Sequence, residues 1–188
     1  MSRIVTIAGS PSATAKSSAI LGLAHRVLKR NAVCSHAIAV RSLPPEALLH
    51  ADTKHPAIQE AVGRVLGSRG LLIATPIYKA SYSGVLKTFL DLLPQDALKG
   101  KVILPLATGG SLAHLLALEY ALKPVLSALG ATHILRGVFL TDSEIQFEHG
   151  GTLSLEEEVE QRLNHSLAEL IRETEPLPDP TAELEYVI

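Results

Sequence analysis

Five short apolar runs, at 3–8, 33–40, 70–75, 101–107 and 132–140, are each bounded by Gly, Pro or a polar cluster and have the length of a strand. Apolar residues recur at helical spacing over 16–31, 55–68, 83–93, 111–129 and 154–173. The runs Leu71-Leu72-Ile73-Ala74 and Val102-Ile103-Leu104-Pro105-Leu106 show no polar alternation, as expected of strands covered on both faces. Strict alternation of strand and helix predicts a parallel sheet with helices on both sides.

For five strands the leading order is 2-1-3-4-5, which makes the expected fold a flavodoxin-like three-layer α/β sandwich. Such a sheet binds its ligand beyond the carboxyl ends of the strands, where the order reverses. The domain is expected over 1–173, with a short helical turn within Leu43-Pro44-Pro45-Glu46-Ala47-Leu48-Leu49 after the second strand. Residues 174–188, punctuated by Pro176, Pro178 and Pro180, read as an extended tail that packs on a neighbour or frays.

The first strand stops at Gly9, and the loop to the next helix carries Ser10, Ser12 and Thr14 before Lys16-Ser17-Ser18. A strand, a hydroxyl-rich loop and a helix N-terminus form an anion site, because first-turn N–H groups lack intrahelical partners. The spacing excludes a Walker A loop, since Ala15 stands where Gly is needed before Lys16. Only Gly9 of a dinucleotide fingerprint's three glycines is present. Two readings stay open for this loop: a terminal monophosphate held by hydroxyls, or Ser and Thr that merely cap the helix.

The third strand runs into Thr75-Pro76-Ile77-Tyr78-Lys79-Ala80-Ser81-Tyr82-Ser83-Gly84, and Pro76 holds the chain extended as it leaves the sheet. Two of the four tyrosines fall here, an aromatic wall suited to a flat ligand, with Lys79 and backbone N–H groups facing its electron-rich edge. The fourth strand ends in Thr108-Gly109-Gly110, whose glycines let backbone lie against a ring or simply make a tight turn. A phosphate pocket, an aromatic wall and a flat floor match the parts of a flavin mononucleotide (FMN).

Composition narrows the class. At 188 residues and 47% hydrophobic, the chain fits one domain with a sizeable core. Its formal net charge of −2 with scattered basic residues argues against nucleic acid, and no apolar run is long enough for a membrane helix. One cysteine and an N-terminus that moves directly into a strand suit a cytoplasmic protein. The eight histidines show no metal-ligand spacing, so no metal is expected and most read as surface groups. Cys34 reads as a small buried hydrophobe in the second strand.

Gly9-Ser10-Pro11, Lys16-Ser17-Ser18, Thr75-Pro76-Ile77-Tyr78, Ser83-Gly84-Val85-Leu86-Lys87-Thr88 and the blocks 101–110, 113–117 and 120–129 resemble the NAD(P)H-dependent FMN reductases. Among these the chain is most similar to the reductases that supply reduced flavin to alkanesulfonate monooxygenases, over residues 3–140. The resemblance implies FMN and NADPH as cofactors, a flavin-dependent monooxygenase as partner, and a homodimer or homotetramer with the fourth helix at an interface. It further implies that Ser10, Ser17 and Ser18 hold the phosphate. Pro76, Ile77, Tyr78 and Lys79 would line the isoalloxazine, and Thr108, Gly109 and Gly110 its other edge. Ser12 stands where many members carry Arg, so hydroxyls, backbone and Lys16 replace a guanidinium fork. No residue is expected as acid, base or nucleophile, because hydride passes directly between the two cofactors.

Pro124 removes the N–H that would bond the carbonyl of Tyr120, so the fourth helix is expected to kink or bulge there. In the sulfonate-linked reductases the matching tyrosine lies in a π-helical insertion associated with flavin used as a dissociable substrate. The competing reading is a buried tyrosine in a kinked core helix. Two other functions share the fold: a quinone or azo reductase with tightly bound FMN, and a flavodoxin-like electron carrier.

Overall fold

The computed structural model describes residues 3–147 and 153–175. Its parallel sheet is built from β1 (Ile4–Ala8), β2 (Ser35–Ala39), β3 (Gly70–Tyr78) and β5 (Val102–Gly109), followed by two short pieces, β6 (His133–Ile134) and β7 (Val138–Thr141). The order is β2-β1-β3-β5, with β6 and β7 both on the free side of β5. This is the flavodoxin-like order expected, with its fifth strand in two parts.

Pro105 explains the split. Leu135 N–H donates to Ile103 O across 2.8 Å, so Ile103 faces the fifth strand, and Pro105, two residues on, faces it too. Proline supplies no N–H there, and within sheets it is tolerated at edges and bulges. The register shows the bulge: Ile103 pairs with Ile134 but Leu106 pairs with Val138, so three steps along β5 meet four on its partner.

Helices cover both faces. Ile4, Leu72 and Leu104 point to one side, against Ile20, Ala24 and Leu28 of α1 (Lys16–Arg30) and Leu163, Leu167 and Leu170 of α6 (Glu157–Glu173). Val5, Ile7, Leu71, Ile73 and Ile103 point to the other. There they meet α2 (Pro45–Leu49), α3 (Pro56–Leu66), α4 (Gly84–Leu90) and α5 (Lys123–Ala128). Alternate residues of each strand enter different cores, which is why the runs lack polar alternation. No described helix is long and apolar enough to cross a membrane.

The structure departs from the sequence reading in several places. The stretch predicted as one helix over 111–129 is a 3₁₀ turn at Leu112–His114, a π turn at Leu118–Leu122 and then α5. Residues 153–155 belong to a hairpin, β8 (Ile145–Phe147) with β9 (Leu153–Leu155), so α6 starts later than predicted. Cys34 precedes β2 and is exposed rather than buried, because β2 is an edge strand whose start is not covered. The tail beyond 175, like His149, lies outside the described residues.

His25 is not a surface group either. It is half-buried on α1, with Nε2 3.0 Å from Thr6 Oγ1 of β1 and Nδ1 3.2 Å from Ser35 Oγ of β2. Burial pushes its pKa below the ordinary 6.5. A histidine lowered in the folded state binds its proton more readily when unfolded. Stability therefore holds above about pH 6.5 and falls as the pH drops toward the lowered folded value. His36, lowered by burial and by Arg64 beside it, adds to the same slope. In His25→Gln the melting temperature is expected to fall less between about pH 7 and 5 than in the parent protein. Equal slopes would show that His25 carries none of the acid sensitivity.

Candidate functional site

The loops after β1, β3, β5 and β7 meet at the carboxyl edge of the sheet. Gly9 is the knot that joins the first two. Its N–H donates to Ala74 O across 2.8 Å, and its carbonyl accepts from the Ser83 hydroxyl. A Cβ at Gly9 would lie 2.7 Å from Leu86 Cβ and 3.2 Å from Ala74 O, so only glycine allows this approach. Ser83 Oγ also accepts from Leu86 N–H at 3.0 Å, capping α4, and Ser83 N–H donates to Thr75 Oγ1 at 3.0 Å.

The open question of the first loop is whether its hydroxyls serve the helix. They do not. The residue at the start of α1 is Ala15, with no side-chain cap, and the first turn holds no acid. Ser10 Oγ, buried, accepts from Ser12 N–H at 3.1 Å, and Ser12 Oγ accepts from Thr14 N–H at 3.3 Å, so these hydroxyls shape the loop. Ser17 is 1% exposed and its Oγ has no partner. A buried hydroxyl left unpaired costs free energy unless a ligand completes it. Beside uncapped N–H groups at the positive end of a 15-residue helix, it fits an anionic oxygen. Ser18, one position on, is half-buried in the same turn.

At the end of β3, Pro76 is buried and in register with Thr108 of β5, itself buried. The chain then forms a hairpin with β4 (Ser81–Tyr82), Ile77 opposite Tyr82 and Tyr78 opposite Ser81. Directly opposed residues share a face. Ile77 and Tyr82 therefore turn inward, while Tyr78 stands 50% exposed. Tyr82 is a core residue, its phenol pushed up in pKa by burial, and not part of an aromatic wall. Lys79 and Ala80 form the tip with φ of +50° and +63°, the left-handed pair a two-residue hairpin turn requires. Neither is the Asn or Gly that adopts this conformation without cost, so the tip is strained.

Gly109 pairs with Thr141 at the end of β7, and a Cβ on it would sit 3.0 Å from Phe139 Cζ. Gly110, beyond it, is exposed. Asp142 N–H donates to Gly109 O at 3.0 Å, which sets Asp142 beside this glycine floor. Lys16, the first residue of α1, reaches across to it: Nζ donates to Asp142 O at 2.5 Å and lies 3.6 Å from Oδ1. The neighbouring Glu144 accepts from Thr141 N–H at 2.6 Å, from Thr141 Oγ1 at 2.8 Å and from Arg162 at 3.3 Å. Burial pushes the Glu144 carboxyl up, but these contacts outweigh it and hold the group below the usual range.

Every segment named from sequence thus reaches this edge: Ser10, Lys16, Ser17 and Ser18 after β1, Pro76 to Lys79 at β3, and Thr108 to Gly110 at β5. Ser83 and Asp142 also lie at this edge and were not among the site residues named from sequence. Ser83 had a legible signal as a serine directly before a helix. Asp142 follows the last strand, and the reading ended that strand at 140. Next to the site, the π turn is centred on Tyr120 as Pro124 demands, but the tyrosine is 78% exposed, not buried. Leu112, Leu115 and Leu116 beside it are exposed too.

Residues 2–146 match the sequence profile of a family described as NADPH-dependent FMN reductase. The FMN reductase (NADPH) of Escherichia coli K12 is 51% identical over 143 residues, 76% of this chain and 75% of that protein. The FMN reductase (NADPH) of Pseudomonas putida KT2440 is 46% identical over 165 residues, 87% of this chain and 84% of that protein. The crystal structure of an apo NADH:FMN oxidoreductase superposes with a TM-score of 0.85 at 40% identity, covering 98% of this chain and all of the other.

Proposed function

The chain belongs to the NADPH-dependent FMN reductase family, and from that premise we propose that it is a cytoplasmic enzyme that reduces FMN with NADPH and releases the product to a partner monooxygenase in sulfonate sulfur assimilation. The observation that carries the flavin site is the unpartnered, buried Ser17 hydroxyl at the uncapped start of α1.

When bound, FMN supplies a ring that accepts hydride from the nicotinamide. The rest is positioning by this chain. Ser10, Ser17 and Ser18, with the first N–H groups of α1, take the phosphate oxygens. Pro76 and Thr108, adjacent across the sheet, would form a rigid wall; the hairpin backbone continues it, with Ile77 backing it from the core and Tyr78 on the exposed face. The backbone N–H groups of the hairpin tip, Lys79 and Ala80, would be the donors available to the polar edge of the ring. Gly109 and Gly110 bring the main chain close from the other side. Holding two flat reactants face to face is itself a large rate factor, and no side chain needs to move a proton.

The π turn at Tyr120 matches the insertion that the resemblance associates with dissociable flavin, and this supports flavin as a substrate over flavin as a fixture. Tyr120 and the three leucines offer an apolar surface on which a second copy packs, in the homodimer or homotetramer we propose. The test is NADPH oxidation by flavin-stripped protein as free FMN is titrated. Saturable turnover at FMN far above enzyme, with no other acceptor, is expected, together with altered flavin retention or turnover in Tyr120→Ala. Activity at one FMN per chain that needs a quinone or azo dye would move the protein to the bound-flavin class. No NADPH oxidation would leave an electron carrier.

A further inference from the structure

Lys16 occupies an awkward place. It is the first residue of α1, where the helix presents its positive end, and no acid in the first turn offsets it. Its ammonium is instead drawn across the mouth of the site to Asp142, bonded to the main-chain carbonyl and paired with the carboxylate. Asp142 is fixed there by its own N–H on Gly109 O and by the Glu144 turn behind it. Glu144 is engaged by Thr141 and Arg162, whereas Lys16 is the only side chain paired with Asp142 among the described residues. Next to Lys16, the Ser17 hydroxyl is buried and unpartnered. A phosphate that completes Ser17 therefore arrives beside a cation already committed to another anion, and a second negative charge stands across the mouth.

We propose that Asp142 is a built-in competitor for Lys16, lowering the affinity of the site for the flavin phosphate and so keeping the flavin exchangeable. This rests on the FMN site argued above. Loading the site either moves Lys16 from Asp142 to the phosphate or leaves the phosphate without its cation. Both routes weaken binding relative to a site with no acid at 142, and both act on the phosphate alone. Asp142 is a positioning residue in this scheme and touches neither the ring nor the nicotinamide.

The experiment compares FMN with riboflavin, which has the same ring and no phosphate. In Asp142→Asn the dissociation constant for FMN is expected to fall by about three- to tenfold, because one exposed charge is removed while the main-chain contact stays. Riboflavin affinity should not change. The gain should shrink at high salt, and it should shrink when Lys16→Met is introduced first. Unchanged or weaker FMN binding in Asp142→Asn overturns the proposal, as does an equal gain for riboflavin. If the parent protein binds neither flavin, the FMN site itself is wrong. Parent binding with no response to Asp142→Asn removes only the competitor.

Discussion

Replacing Ser17 by Ala is expected to raise the FMN concentration for half-maximal turnover by about 10- to 100-fold, the worth of one hydrogen bond to a charged group. The free protein should be no less stable. The Ser17 hydroxyl is buried without a partner, so its loss removes a desolvation cost and breaks no contact. This pairing of effects is diagnostic, because most buried substitutions lower stability first and activity as a consequence. FMN kinetics and a melting curve on the same preparation decide it. A lowered melting temperature with unchanged FMN dependence would mean that the hydroxyl serves the fold and that the phosphate lies elsewhere.

Ser83→Ala should behave in the opposite way. One hydroxyl there donates to the Gly9 carbonyl and accepts from Leu86 N–H, in a residue 1% exposed. Its removal leaves a buried carbonyl and a helix N-terminus unsatisfied together, a loss of about 2–4 kcal/mol. For a chain of this size that lowers the melting temperature by about 5–15 °C. FMN affinity should fall with it, because the Gly9 loop loses its tie to α4. Thermal unfolding of apo protein measures the first effect and flavin titration the second. A variant that melts with the parent would show that the Gly9 turn is held without Ser83.

Where a residue's placement follows from near neighbours in the chain, the sequence was a good guide. Unbroken apolar runs implied strands covered on both faces, and Ile4 and Val5 do point into separate cores. Pro124 implied a disturbed turn at Tyr120, since a missing donor acts four residues back. Ser10 and Ser17 stood out as hydroxyls beside a helix start, but that neither caps α1, and that Ser17 Oγ is buried without a partner, shows only in the structure.

What stayed hidden depends on pairings across the fold. Tyr82 looked like part of an aromatic loop, yet its partner in the hairpin is Ile77, and that register carries it into the core. Asp142 meets Lys16 only because α1 begins opposite the end of β7, a proximity 126 residues apart in the chain. Cys34 was read as buried because small apolar-like residues usually are, while exposure is decided by lying at the start of an edge strand.

Two irregularities prove to be one. The bulge in the fifth strand and the π turn each insert a residue into a regular element, and they touch. A Cβ on Gly137, inside the bulge, would lie 2.9 Å from Leu118 Cδ1, where the π turn starts, and 3.3 Å from Pro105 Cγ. The bulged segment of the strand is thus seated against the first residue of the π turn, with Pro105 on its other side. A side chain in place of Gly137 would press on the π turn and on Pro105 at once, so this one glycine is the seat that the strand's irregularity and the helix's irregularity share.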